Sequence, residues 1–155
     1  MKKITLIAAL CLGITAGYAQ KVKEADVPSA VKDAFKKAHP TAKAEKWEKE
    51  DGNFEVEYDM SKTEASDVYD PSGKLVQTEV EIKASELPKG VSEYVTKNLA
   101  GKKIDEAAKI TEANGTITYE AEIGKADYIF DANGNFIKKE EDKAGEKDDD
   151  KKKKG

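Results

Sequence analysis

The chain contains no arginine, one cysteine, one histidine, one tryptophan and four prolines in 155 residues. Without arginine there is no guanidinium fork for reading guanine or clamping phosphate. The acidic balance, 27 lysines against 31 carboxylates, also has the wrong sign for a polyanion. Nucleic acid is therefore excluded as an expected partner. A single cysteine cannot make an intramolecular disulfide or a thiolate metal cage. A single histidine, His39, would need ligands or catalytic partners brought from elsewhere. It precedes Pro40 at the end of a helical pattern and is expected to be a solvated loop residue. Long apolar runs are missing too, so no integral membrane segment is expected once the first residues are removed.

Those first residues read as a secretory signal peptide over 1–19. Lys2-Lys3 is a basic start, Ile4 to Gly13 is apolar, and Gly17-Tyr18-Ala19 offers small residues for cleavage before Gln20. Cys11 lies inside the apolar run behind Leu10, which argues against lipidation. Loss of this segment leaves 25 basic and 31 acidic residues, a charge of −6, and no cysteine. A periplasmic or secreted location follows.

What is present is repetition. Ala65 to Glu79, built around Tyr69-Asp70-Pro71-Ser72-Gly73, returns as Ala126 to Glu140 around Phe130-Asp131-Ala132-Asn133-Gly134. Each copy is written as a β-hairpin whose turn glycine takes a positive φ. Ahead of each copy comes an apolar-Pro helix start. Val27-Pro28 leads Val31, Ala34, Phe35 and Ala38; Leu87-Pro88 leads Val91, Tyr94, Val95 and Leu99, all at helical spacing. Pro40 ends the first helix and Gly101 the second. Gln20 to Asp26 reads as a loose polar leader. Between helix and hairpin, Phe54, Val56, Tyr58 and Met60 alternate with Glu55, Glu57 and Asp59, and Ile117, Tyr119, Ala121 and Ile123 answer them. Ile110 is set against Trp47 as its counterpart.

The expected fold is α+β: a tandem duplication of one helix followed by a four-stranded antiparallel meander, the helix packed on one sheet face. The modules span 20–83 and 84–141, and 142–155 reads as a disordered charged tail, because Lys and Asp runs cannot repay ordering entropy.

Candidate chemistry is sparse. Asp131-Ala132-Asn133-Gly134-Asn135 begins like a calcium loop but has Asp142 where a bidentate Glu is needed, and the first copy puts Lys74 at a ligand position. Hairpin turns explain both. Asn114-Gly115-Thr116 fits a glycosylation acceptor and, better, a hairpin turn. Glu55, Glu57, Asp59, Glu120 and Glu122 share a face with Thr116 and Thr118; alternation of this kind predicts a solvated sheet face rather than a pair of catalytic carboxylates. Val68, Tyr69, Tyr128, Ile129 and Phe130 put apolar groups on both faces of one strand in each module, as core or inter-module packing requires. No catalytic, cofactor-binding or metal-binding residue is assigned, and no cofactor is expected.

Taken together, Val27-Pro28, Trp47, Phe54-Glu55-Val56 and Tyr69 to Leu75, with Leu87-Pro88, Ile117-Thr118-Tyr119 and Phe130 to Phe136, resemble the PepSY-like family of exported Bacteroidetes proteins, whose fold is described as like that of β-lactamase-inhibitor proteins. The resemblance covers about Val27 to Glu141. It implies helix on antiparallel sheet and a non-catalytic binding role in the periplasm, inhibiting or regulating an exported hydrolase through protein contact. The unknown protein partner would be a protease or other hydrolase. Ala100-Gly101-Lys102-Lys103 departs from the pattern by lacking a proline after the helix. The alternative is a small-ligand or cation binder that uses the acidic sheet face.

Overall fold

Alternating strands dominate the computed structural model, which describes residues 19–141. The signal-peptide and tail expectations concern segments outside those residues, apart from Ala19. In chain order the elements are β1 (Gln20–Val22), α1 (Ser29–Ala38), β2 (Ala44–Glu50), β3 (Asn53–Met60), β4 (Thr63–Tyr69) and β5 (Leu75–Glu81). They continue with α2 (Lys89–Asn98), β6 (Glu106–Glu112), β7 (Ile117–Glu122), β8 (Ala126–Asp131) and β9 (Phe136–Glu141). A short 3-10 turn precedes each helix, at Glu24–Asp26 and Ala84–Glu86.

The expected pair of helix-plus-four-strand meanders is corrected. The nine strands form one antiparallel sheet in sequence order, and with two helices the protein is mostly β. Two features break the expectation. The supposed leader contributes β1, which pairs Gln20, Lys21 and Val22 with Lys49, Glu48 and Trp47. And β5 does not close a module: Gln77 to Glu81 pair with Glu112 to Ala108 of β6. Physically, a strand's outward N–H and C=O groups need partners, and a long β5 left as an edge would be a liability.

The chain divides into two units, and the second strand-rich stretch is split between them. Of the described residues, the first unit takes 19–82 and 108–117. Its core is one face of β2–β4 covered by α1: Val27, Val31 and Phe35 against Trp47, Phe54, Val56, Tyr58, Ala65 and Tyr69. Phe35 meets Trp47 and Tyr58 edge-on, at centroid separations of 5.9 and 5.2 Å. Burying a ring of this size is worth about 2–3 kcal/mol relative to exposure. Ile110 is not the counterpart of Trp47. Opposite Glu79, it lies on the face away from α1, whereas Trp47 packs under the helix. With a side-chain period of two, a loop one residue longer or shorter reverses which face a residue occupies.

The second unit takes 83–107 and 118–141. Here Val91 and Val95 of α2 pack on Ala121, Ile123, Ala126, Tyr128 and Phe130. Tyr94 stacks on Phe136 at 4.7 Å and 13° and meets Phe130 edge-on at 5.4 Å. In both units the hairpin tip is wedged against the start of its helix. A Cβ on Gly73 would collide with the Ala30 carbonyl, and one on Gly90 would lie 2.6 Å from the Gly134 oxygen. Gly73 and Gly134 also have φ of 85° and 83°, a region L side chains rarely adopt.

Candidate functional site

Polar residues gather in three places: under α1, on the face of the first unit that α1 does not cover, and at the hairpin tips. Under α1 the centre is Asp67. Its position in β4 alternates with Ala65 and Tyr69, both inward, so its carboxylate is carried into the core and is 1 % exposed. It survives there because donors surround it. Tyr69 Oη donates at 2.7 Å, Thr78 Oγ1 at 2.8 Å and Tyr58 Oη at 3.4 Å, and His39 Nε2 lies 2.8 Å away. Each hydrogen bond to a charged group adds about 1.5–3 kcal/mol, which offsets burial of the charge. Burial, together with the neighbouring Asp67 charge, raises the ionisation of both phenols above the ordinary tyrosine range. His39 is therefore a partly buried partner of Asp67 rather than a solvated loop residue. Its ring also packs on Tyr58 at 4.4 Å.

On the uncovered face the expected solvated row of glutamates is corrected in part. Asp59 is exposed, and Glu57 and Glu122 are half-buried, but Glu55 and Glu120 are buried. In the first unit the cross-strand rows are Glu48, Glu55, Val68, Gln77, Glu112 and Lys46, Glu57, Ser66, Glu79, Ile110. Ser66, Gln77 and Glu79 form a floor that is at most 1 % exposed. Around it Lys46 Nζ bridges Glu48 at 2.9 Å and Glu57 at 2.8 Å. Burial of Lys46 pulls its pKa down, but the bonds to Glu57 and Glu48 outweigh it and leave the ammonium above its usual value. Burial pushes Glu55 up to about 8; the Glu57 and Glu48 charges add to the rise, and the Ser66 hydroxyl opposes it. Burial thus favours the neutral form of Glu55 at neutral pH. In the second unit Glu120 is likewise pushed up to about 8, by burial first and then by Asp127, Glu140 and Glu122.

At the hairpin tips the carboxylates are occupied by their own turns. Asp70 Oδ1 accepts from Ser72 N and Oγ and from Lys74 N, at 2.8, 2.5 and 3.1 Å. Asp131 accepts from Asn133 N, Asn135 N and Asn135 Nδ2, at 2.8–2.9 Å. These donors hold both acids below the usual carboxylate range. Asn114 Oδ1 does the same for Thr116 N at 2.8 Å. Among the described residues no three His, Cys, Asp or Glu side chains are grouped as a metal would require. Nor, among them, is any helix long and apolar enough to cross a membrane.

Sequence reasoning missed Asp67 and Gln77. For Asp67 the signal is strand parity, since it shares a face with Ala65 and Tyr69; Gln77 shares its face in β5 with Glu79 and Glu81 and carried no such signal.

The family model described as "Putative beta-lactamase-inhibitor-like, PepSY-like" matches residues 14–77 and again 68–138. No curated protein matches the chain. Among solved structures, one from Bacteroides eggerthii, described as "putative periplasmic proteins", superposes with a TM-score of 0.66 at 15 % identity, over 74 % of this chain and 88 % of that one. A DUF2874 family protein from Bacteroides uniformis gives 0.65 at 17 %, with the same coverage. A BLIP-like protein from Bacteroides fragilis gives 0.57 at 23 %, over 79 % and 92 %. At such identities the likeness is one of fold.

Proposed function

This chain belongs to the PepSY-like, beta-lactamase-inhibitor-like family, and from that premise we propose that it is a non-catalytic binding module, periplasmic or secreted, that engages another exported protein. An exported hydrolase is the first partner class to test, since the family is described as inhibitor-like. The supporting observation is the polar face of the first unit that lies away from α1. There the Glu48, Lys46 and Glu57 ion triplet is held at 2.8–2.9 Å over a buried polar floor. A charged network held on strands, with side chains 15–22 % exposed, loses little side-chain freedom when it docks, which favours affinity and selectivity over turnover. The cation-binding alternative has less support, because the Lys46 ammonium already occupies the space between the two carboxylates.

The test is affinity capture from a periplasmic extract on the immobilised chain, beside a Lys46→Glu variant whose fold is verified by circular dichroism. The reading expects one or more proteins retained by the native chain and lost by the variant. Equal retention by both, or none by either at micromolar protein, would count against this face.

A further inference from the structure

Among the described residues, the last strand of the sheet has a hydrogen-bonded neighbour on one side only. β9 pairs with β8, from Phe130↔Phe136 to Ala126↔Glu141, and ends the strand order among the described residues. The similar segment 61 residues earlier, β5, has ladders on both sides, to β4 and to β6. β9 also leaves Phe136 39 % and Ile137 51 % exposed. An edge of this kind is a template for another strand.

Its sequence says which strand fits. Lys138-Lys139-Glu140-Glu141 changes sign at its middle, so an antiparallel copy centred on one of these inner residues sets two lysines against two glutamates. We propose that β9 is a self-association edge, on which the β9 of a second copy adds antiparallel to extend the sheet.

Symmetry then narrows the register. A two-fold axis relating two edge strands of one sheet stands perpendicular to it, so the faces match and residues opposite one another have the same parity. Lys139 and Tyr128 share a face, with the ammonium 5.9 Å from the ring centroid, and Lys138 and Glu140 share the other. Centring the axis on Lys139 keeps the whole ladder from Ile137 to Glu141 within the observed strand. Lys138 then lies opposite Glu140 of the second copy, twice; Lys139 lies opposite its own image, and Glu141 of each copy, diagonal to the facing Lys139, offsets that one like-charge pair. Centring it on Glu140 would also pair Lys139 with Glu141 twice, but it would set the Glu140 carboxylate against its own image with Asp127 as its neighbour across the ladder to β8, adding acid to acid. Centring it on Lys138 would oppose two ammonium groups with no lysine–glutamate pair. The Lys139-centred register is the one the charges select. It exchanges the present within-strand pairs, Lys138 with Glu140 and Lys139 with Glu141, for a shared network.

The test uses the full chain with Cys11→Ser, so that an introduced thiol is the only one. Sedimentation should show mass rising from one copy to two as concentration approaches roughly 0.1 mM, where even a weak interface populates. Lys139→Cys should form a disulfide-linked dimer under mild oxidation, whereas Ile137→Cys, facing Glu141 of the second copy, should not. Glu140→Lys should weaken association about tenfold, and the double swap Lys138→Glu with Glu140→Lys should restore most of it. A single-copy mass at the highest concentration overturns the proposal, as does cross-linking through Ile137 in preference to Lys139. Slow hydrogen exchange along β9 in a monomer also overturns it, and would assign the edge to the chain's own residues beyond Glu141.

Discussion

The two units put a helix on strands in the same way but fill the space beneath it differently. Under α1 lies the Asp67 carboxylate with His39, Tyr58, Tyr69 and Thr78 around it. Between α2 and its strands lie rings: Tyr94 from the helix, with Tyr128, Phe130 and Phe136. Even the residue that caps each helix follows suit. His39 N–H bonds the Phe35 carbonyl at 2.8 Å, and Leu99 N–H bonds the Val95 carbonyl at 3.0 Å. A polar hub is directional and holds its partners in one arrangement. An aromatic cluster gains more from area and tolerates small shifts. The first unit should therefore be the one that a single substitution damages most.

The sharpest way to break the comparison is Asp67→Ala. It leaves two phenols, a hydroxyl and an imidazole without their common acceptor, and is expected to cost about 3–5 kcal/mol by urea denaturation. Tyr128→Phe, at the corresponding place in the second unit, should cost well under about 1.5 kcal/mol. If the two losses are equal, the contrast between hub and cluster is lost.

Next comes pH, where the units should agree. In the fold, Glu55 and Glu120 hold their protons up to about 8, against 4.5 for the ordinary group. The unfolded chain ionises first, so their contribution is fully present below pH 4.5 and is lost as pH rises to about 8. At about 1.4 kcal/mol per unit of pKa, that is on the order of 5 kcal/mol for each group. Thermal melts from pH 5 to 9 should fall, and Glu55→Gln or Glu120→Gln should each flatten the slope. A native melt that rises over this range contradicts both assignments.

Gly90→Ala tests the wedge between hairpin tip and helix in the second unit. The new methyl meets the Gly134 carbonyl, for an expected loss of about 1–3 kcal/mol, whereas Gly101→Ala, with nothing within 4 Å, carries only the backbone cost of about 1 kcal/mol. The smallest effect is expected from Lys46→Met, below about 1 kcal/mol because the triplet is partly exposed. A larger loss would make that triplet a stability element and weaken the case for a binding face.

Much of the local structure was legible. Pro28 and Pro88 stand immediately before α1 and α2, the Asp-x-x-Gly turns close hairpins, and alternation picks the buried row Phe54, Val56 and Tyr58, though Met60 at its end is exposed. These depend on φ preferences and on a period of two, which a short segment carries within itself. The site was less legible. Glu55 and Glu57 are written alike, yet one is buried and holds its proton while the other pairs with Lys46. His39, alone in its segment, gave no hint of Asp67, 28 residues away.

By itself, then, the chain of letters determined where helices start, where strands turn and which family the protein belongs to. Only the tertiary structure decided that Gln20–Val22 is a strand, that β5 runs on to β6, and that carboxylates lie in buried places. The reason is that edge pairing and desolvation are non-local. A strand's second neighbour, and the dielectric around a carboxylate, are set by residues far along the chain.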